Sequence, residues 1–487
     1  MRIVHLSTVD IRGGAARSAY RLHRGLLNAG TESSMLVKQK FSKDDSVTVA
    51  FLEQGLVADE TIRQWDAIHT ACIHERRTAI SNTYFSLPDP AYDLSLHPLI
   101  AQADIIHLHW VSNMAGPLTV AALRGLGKPL VWTLHDQRTF TGGCHFSAGC
   151  CQFETDWAQC PQLSMDRSGL TAAVLADSVQ LLGAHAITVV SPSHWLADCA
   201  RRSVVFRSSR VEVIPNGLNT TVFRPIDRAT ACNTWRLNPE VTYLLFGAFD
   251  WAEKRKGFEV LIRALKDCLR DSAFAQRVTD GSIKFLCFGQ NPPALAGLGM
   301  PVKFLGQINS DEQMAAAYSA AAVVLLPSLE DNLPNMAIEA LCCGTPVIAQ
   351  RVGGVPEVIE HGVTGLLAAA GDSRQFAEAI RTVASDPHQR EVLSANCRRD
   401  IPSRYSLERQ AMRYRALYDE LMRGKNMSGT PEEKSIATPA LMLPGGPRLM
   451  KIYPKLLKDA QRRHRKKARR LFFRRLREKL SWKSTAA

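Results

Sequence analysis

The chain has 487 residues, which is too long for a single hydrophobic core and predicts two domains with additional segments. Apolar residues make up 46%, an ordinary fraction for a globular protein, and no run approaches the ~18 apolar residues of a membrane span. The formal net charge of +14 belongs to the tail: residues 425–487 hold 18 Lys and Arg against 4 Asp and Glu, whereas residues 1–424 hold 42 of each.

The first half opens with a predicted strand, a glycine loop and a helix. Ile3–Leu6 form the strand, Gly13 and Gly14 the loop, and an amphipathic helix runs to about Asn28. A glycine pair between a strand and a helix lets a ligand approach the backbone and the helix N-terminus. The opening residues, 1–7, are too short and too polar for a signal peptide.

Two further predicted strands, residues 104–110 and 129–136, end in polar side chains. They carry His107, His109 and His135 near their carboxyl ends. Because open α/β sheets bind ligands at the carboxyl ends of their strands, these histidines are candidate site residues. A purely structural hydrogen bond is the alternative for each of them, and it is favoured for His107 and His109.

Four cysteines follow within seventeen residues: Cys144, Cys150, Cys151 and Cys160. Such a group could hold zinc, although its spacing is not that of a zinc finger. A disulfide and unpaired thiols remain the alternatives. The remaining cysteines lie mostly at apolar positions, which fits reduced thiols in the cytoplasm.

The second half begins after a join near residue 220. A strand over Thr242–Phe246 precedes a basic loop, Lys254–Gly257, which is either a ligand-binding loop or a solvated one. Further strands are predicted at residues 285–288 and 302–305, and a helix at residues 310–320.

The most informative stretch is Pro327–Ala349. Apolar runs on either side predict buried parallel strands, and a short helix lies between them. Pro334 suits the first turn of that helix and Gly344 its exit. The backbone amides around Asn332 therefore lie at a helix N-terminus, which is a natural site for a phosphate or a sugar oxygen.

Two carboxylates belong to the same stretch. Asp331 lies in the loop and Glu339 on the helix, with seven residues between them. Carboxylates do not bind a phosphate, but they accept hydrogen bonds from the hydroxyls of a ribose and a sugar. The combination predicts a nucleotide-sugar site.

This stretch, followed by residues 352–359 and 362–367, resembles the acidic-x7-Glu motif of family 4 glycosyltransferases, which are retaining enzymes of the GT-B fold. Most members have Glu at the first position, where this chain has Asp331 preceded by Glu330. The resemblance implies an α/β protein with two Rossmann-like, doubly wound domains that face a cleft. The implied division is an acceptor-side domain at 1–220, a donor-nucleotide domain at 221–402, a closing helix at 403–424, a linker at 425–448 and a basic amphipathic tail at 449–487.

The resemblance also implies roles for particular residues. His135 matches the cleft histidine that contacts the transferred sugar, Asp331 would orient that sugar, and Glu339 would bind the ribose. Family members usually carry an arginine where this chain has Ala248, so Arg255 is a candidate for the missing guanidinium. The implied donor-binding set is Gly13, Gly14, Arg255, Lys256, Asn332, Leu333, Pro334, Asn335 and Glu339.

The implied chemistry needs no metal and no cofactor beyond the nucleotide-diphosphate sugar. The chain contains no Asp-x-Asp sequence, which agrees with metal independence. Retaining enzymes of this family are thought to react on one face of the sugar, with the leaving phosphate taking the acceptor's proton. We therefore expect no covalent nucleophile, and closure of the two halves would expel water.

Residues 132–161 resemble a subgroup that includes transferases of colanic-acid-type exopolysaccharide assembly, although Trp157 stands where a cysteine is expected. This implies a glycan acceptor in exopolysaccharide or cell-surface polysaccharide assembly, and the basic tail described next predicts that this acceptor is lipid-linked. The alternatives are a sugar synthase with a soluble acceptor and a non-catalytic nucleotide-sugar-binding scaffold.

The tail predicts membrane contact. Pro454 would open a helix that runs to about Trp482, with cations between its apolar residues. This is the pattern of a helix lying on an anionic membrane, which would make the protein cytoplasmic and peripheral on the inner face of the cytoplasmic membrane. A solvated tail and nucleic-acid binding are the alternatives, and a chain ending at Gly424 is expected to stay folded. The apolar positions are Leu456, Leu457, Ala460, Ala468, Leu471, Phe472, Leu476 and Leu480.

Overall fold

The computed structural model describes the chain except for residues 51–55, 82, 89–90, 156–158, 167–168, 184–186, 249–252, 290–298, 426–440, 443–445 and 485–487. Its framework is two parallel sheets of seven and six strands, each covered by helices. This confirms the predicted α/β architecture of two doubly wound domains.

The first domain is built on a seven-stranded parallel sheet in the order β3-β2-β1-β5-β6-β7-β8. Helices cover both faces, so its central strands are buried on both sides, and all four residues of β5 and of β6 are buried. The strands are β1 Arg2–Val9, β2 Glu32–Gln39, β3 Val47–Val49, the short β4 Ala91–Tyr92, β5 Ile105–Leu108, β6 Leu130–Thr133, β7 Ile187–Ser191 and β8 Val211–Val213. The helices are α1 Gly14–Asn28, α2 Leu56–Cys72, α3 Pro98–Gln102, α4 Pro117–Arg124, α5 Leu170–Leu182 and α6 His194–Arg202.

The second domain is built on a six-stranded parallel sheet in the order β11-β10-β9-β12-β13-β14. Neighbouring residues of its central strand enter different cores, Leu244 on one face and Leu245 on the other. The strands are β9 Thr242–Ala248, β10 Ile283–Gly289, β11 Val302–Gly306, β12 Val323–Leu326, β13 Val347–Gln350 and β14 Gly365–Ala368. The helices are α7 Arg228–Thr234, α8 Phe258–Cys268, α9 Ser272–Thr279, α10 Asp311–Ala320, α11 Asn335–Cys342, α12 Val355–Val358, α13 Ser373–Ser385 and α14 Pro387–Arg404.

After α14 the chain returns to the first domain. Helix α15, Leu407–Lys425, buries Ala411, Tyr414 and Tyr418 in a cluster with Ile3 of β1. A short strand, β15 Leu441–Met442, then pairs with β4 in antiparallel fashion. The first domain therefore includes residues from both ends of the chain.

The last helix, α16, spans Pro447–Ser484 and corrects the predicted tail. It begins seven residues before Pro454, because the carboxylate of Asp177 accepts hydrogen bonds from the amides of Arg448 and Leu449, each at 2.9 Å. Such a carboxylate satisfies helix N-terminal amides that would otherwise lack a partner.

The start of α16 packs on α2 and α5 instead of facing lipid. Leu456 and Ala460 are buried in the first domain's core, and Leu457 is packed against it. The prediction that these three side chains form a lipid-facing stripe is therefore wrong, and a chain ending at Gly424 would uncover this core. The side chains of Ala468, Leu471, Phe472, Leu476 and Leu480 lie outside the described ones.

Among the described residues, no helix combines the length and the apolar character that crossing a bilayer requires.

Candidate active site in the interdomain cleft

The glycine loop of the first domain meets the N-terminus of α11 across the cleft. Gly13 has a φ of 86°, a left-handed conformation that favours glycine. Asn335, the first residue of α11, donates a hydrogen bond from Nδ2 to the carbonyl of Gly14 at 3.0 Å. The two predicted donor-binding elements therefore lie side by side.

Further hydrogen bonds join the two domains around this point. Asn332 donates from Nδ2 to the carbonyl of His135 at 3.3 Å. The carboxylate of Glu357 accepts from the amides of His194 and Trp195 at 2.7 and 2.8 Å, at the N-terminus of α6. The domains are thus closed on each other, and Asn332 and Asn335 lie at the interface.

Asp331 forms a buried cluster with the basic loop. Its Oδ2 lies 3.0 Å from Lys256 Nζ and 3.2 Å from an Arg255 nitrogen, and Ser328 Oγ donates to it at 3.2 Å. Burial pushes the pKa of Asp331 up, but Lys256 and Arg255 outweigh that effect and hold the pKa at about 2. The carboxylate is therefore ionised and oriented by two cations.

The two cations are placed differently. Arg255 is buried, pairs with Glu253 at 3.0 Å and lies 4.2 Å from the centre of the Phe146 ring. The Lys256 side chain remains 29% exposed, so its ammonium pairs with Asp331 and is still open to solvent. Arg255 is the candidate to replace the arginine that family members carry at the position of Ala248. In this structure its guanidinium contacts Asp331 and the first domain.

The glycine after Lys256 has a steric role. Gly257 has a φ of 70°, and a Cβ there would lie 1.8 Å from the carbonyl oxygen of Pro327. The basic loop can therefore approach the strand end before Asp331 only because this residue is glycine.

Glu339 is buried and held on both sides. Tyr318 donates its hydroxyl to Oε2 at 2.9 Å, and Arg21 lies 2.8 Å from Oε1. Arg21 belongs to α1 of the first domain and was not predicted as a site residue. The available signal was its position, four residues after Arg17 on a helix that starts at the glycine loop.

His135 ends a row of imidazoles that we call the histidine chain: His5, His109 and His135. His5 Nδ1 lies 2.9 Å from His109 Nε2, and His109 Nδ1 lies 3.2 Å from His135 Nε2. Burial lowers the pKa of His135 to about 4 and lowers the pKa values of His5 and His109 well below 6.5. All three rings are therefore neutral at pH 7.

His107 has the structural role that was favoured for it. Its nitrogens contact the Tyr418 hydroxyl and Thr133 Oγ1, each at 2.7 Å. Ring nitrogens of His5, His107 and His109 lie within 4.8 Å of one another, the spacing of a possible metal group. Because hydroxyl and imidazole partners already engage His107 and His109, we assign these rings to a hydrogen-bonded core.

The cysteine-containing loop lies over the donor domain. Its Ala148 amide donates to the Glu330 carboxylate at 3.0 Å. Since Glu330 has this partner and Asp331 meets the basic loop, the geometry favours Asp331 as the motif carboxylate.

The loop's cysteines do not form a ligand group in the described structure. Cys144, Cys150, Cys151 and Cys160 are unbridged thiols, of which Cys151 is exposed. Burial raises the pKa of Cys144 well above 9 and that of Cys160 to about 11, so both stay protonated at neutral pH.

Solved structures share this fold. Sucrose-phosphate synthase from Thermosynechococcus elongatus superimposes with a TM-score of 0.58 at 21% identity, over 87% of this chain and 100% of that one. Anabaena HepE in complex with UDP-glucose gives a TM-score of 0.58 at 18% identity, over 86% of this chain and 100% of that one. Two parallel-sheet domains that close on a cleft define a GT-B glycosyltransferase architecture.

Family models match both halves of the chain. Residues 12–222 match the family described as Glycosyltransferase Family 4, and residues 240–386 match Glycosyl transferases group 1. Each half of the chain therefore matches a glycosyltransferase domain.

Curated relatives are named D-inositol 3-phosphate glycosyltransferase. The protein of Pseudarthrobacter chlorophenolicus is 28% identical over 298 residues, which cover 59% of this chain and 64% of that protein. That of Corynebacterium glutamicum is 26% identical over 67% of this chain and 74% of that protein. The chain thus spans 64% of the first relative's length, and these relatives are not named for exopolysaccharide assembly.

Proposed function

We propose that the protein is a retaining glycosyltransferase that moves a hexose from a nucleoside-diphosphate sugar to a lipid-linked glycan in cell-surface or exopolysaccharide assembly. One observation carries the proposal. The N-terminus of α11 lies against the glycine loop, the Lys256 ammonium pairs with Asp331 in the loop before that helix, and Glu339 is on the helix itself. This arrangement offers positive charge for a diphosphate beside a carboxylate for a ribose.

The charge that develops on the leaving diphosphate is met by Lys256 and the amides around Asn332. Glu339 accepts hydrogen bonds from the ribose and Asp331 from the donor sugar. His135 contacts that sugar from the first domain, and as a neutral ring it can exchange a hydrogen bond with a hydroxyl. The leaving phosphate takes the acceptor's proton, so no covalent nucleophile, metal or further cofactor takes part.

We further propose that α16 brings the enzyme to an anionic membrane, with the protein on the cytoplasmic face. The support is a set of exposed cations after Ala460, the last residue that α16 contributes to the first domain's core: Arg462, Arg465, Lys466, Arg469 and Arg470. On the same stretch, Arg463 and Lys467 pair with Glu75 of the first domain. Each cation near such a surface contributes about 1 kcal/mol. The proposed membrane contact therefore depends on these cations and not on the apolar side chains of Leu456 or Ala460.

A soluble, phosphorylated acceptor is the second candidate. The two curated relatives described above are named for inositol 3-phosphate, and they match 59% and 67% of this chain. Both candidates share the donor site and differ only in the acceptor.

A donor and acceptor screen separates them. Release of UDP or GDP is measured from UDP- and GDP-sugars, with bacterial lipid extract or inositol 3-phosphate as acceptor, for the wild type and Glu339→Gln. The proposal expects release that depends on lipid extract, survives EDTA and is lost in the variant. Release with inositol 3-phosphate alone supports the second candidate, and no release with any donor contradicts both.

A further inference from the structure

The charged end of Arg21 lies among groups of the second domain, although its backbone belongs to α1 of the first. Its guanidinium lies 2.8 Å from Glu339, 3.2 Å from Asp311 and 5.0 Å from the centre of the Phe223 ring. Phe223 is fully buried and belongs to the second domain's core. Arg21 is thus a cation that one domain inserts into the other.

These contacts pair the Glu339 carboxylate with a cation and fix its orientation. The side chains of Arg21 and Glu339 are only 9% and 6% exposed, so an unpaired carboxylate at this place would be strongly disfavoured. Burial opposes the charge on Arg21, but the two carboxylates raise its pKa above the usual value, so it stays charged. With Tyr318 on the other oxygen, Glu339 is held in one orientation.

Glu339 still has room for a ligand. Each carboxylate oxygen carries two lone pairs, and each oxygen of Glu339 has one of the hydrogen-bonding partners described above. A ribose hydroxyl can therefore bond to the same carboxylate without displacing Arg21. The geometry therefore indicates that Arg21 orients the Glu339 carboxylate and does not block it.

We propose that Arg21 is a positioning residue, which fixes Glu339 for the ribose of the donor nucleotide only when the two domains are closed. The inference rests on the proposed function, since it assigns the ribose to Glu339. Because the cation comes from the first domain and the carboxylate from the second, ribose recognition is coupled to domain closure. An open enzyme would hold Glu339 without this partner and bind nucleotide more weakly.

Binding measurements on the full-length protein test this role. Calorimetry compares the wild type with Arg21→Met and Arg21→Lys, using whichever of UDP and GDP binds the wild type more tightly, its 2′,3′-dideoxy form and inorganic pyrophosphate. Hydrogen bonds to charged groups contribute about 1.5–3 kcal/mol, so Arg21→Met should weaken nucleotide binding about 10- to 150-fold. The dideoxy form and pyrophosphate should each bind the wild type and Arg21→Met with equal affinity. Arg21→Lys should recover part of the lost nucleotide affinity.

Two controls accompany the measurement. Arg17→Met removes a cation one turn earlier on the same helix, whose recorded partner is Asp311 at 3.7 Å, and should change nucleotide affinity less than twofold. The double variant Arg21→Met/Glu339→Gln removes both charges, so Arg21→Met should cost little further affinity in that background. This variant also keeps the test valid if Arg21→Met alone folds poorly.

Three outcomes would overturn the inference. Equal weakening of nucleotide and pyrophosphate would mean that Arg21 attracts the diphosphate directly. Unchanged nucleotide affinity with a lowered melting temperature would mean that the ion pair serves only the fold. A wild type that binds neither UDP nor GDP would contradict the proposed function, and with it this role.

Discussion

Replacement of Lys256 by methionine tests the donor site most directly. The substitution keeps the side chain's length and removes the more exposed of the two cations that pair with Asp331. Loss of one preorganised charge partner costs about 2–4 kcal/mol of transition-state stabilisation, which is about 30- to 900-fold in kcat/KM. Asp331 keeps Arg255 at 3.2 Å and Ser328 at 3.2 Å, so the fold should survive.

The assay is initial-rate nucleotide release with varied donor, together with the melting temperature of each variant. Arg255→Met is the matched comparison. Since Arg255 is buried between Asp331 and Glu253, its removal leaves unpaired buried charge and should cost about 3–5 kcal/mol of stability. Lys254→Met, which removes an exposed contact to the Ala79 carbonyl, should be nearly silent. A fall in kcat/KM of less than threefold for Lys256→Met would refute the assignment.

Three further predictions concern the motif, the pH response and the tail. Asp331→Asn should lower kcat/KM far more than Glu330→Gln, because the Asp331 carboxylate pairs with Lys256 whereas the Glu330 carboxylate accepts from the Ala148 amide; the opposite ranking in initial-rate assays would shift the motif by one residue. The histidine chain should make the free energy of unfolding fall as pH drops from 6.5 toward 4. In this range the histidines of the unfolded chain bind protons, whereas the buried rings of the folded protein, whose pKa values are lower, stay neutral. Melting temperatures that stay constant across this range would contradict this prediction. A chain ending at Gly424 should lose stability because it uncovers core formed with Leu456, at about 1.5–3 kcal/mol for each large apolar side chain, whereas one ending at Arg470 should melt like the wild type.

Local patterns in the sequence were sufficient for the order of elements and for much of the site. Pro334 and Gly344 predicted the ends of a helix that spans Asn335–Cys342, and the strand predicted over Thr242–Phe246 lies within β9, Thr242–Ala248. These features depend on residues close together in the chain, where backbone chemistry dominates. The motif spacing likewise placed Asp331 in the loop before this helix and Glu339 on it.

Only the tertiary structure brought Arg21 to Glu339 and turned Arg255 toward Asp331 and Phe146. The Arg21–Glu339 and Arg255–Phe146 contacts require the two domains to close, and no local pattern encodes which side chains will meet across a cleft. The start of α16 shows the same limit. Periodic apolar residues such as Leu456 reveal that one face of a helix avoids water, but lipid and protein interiors satisfy that face equally well. In the folded protein the apolar face at the start of α16 lies against protein and not lipid, because α2 and α5 provide a surface that α16 covers.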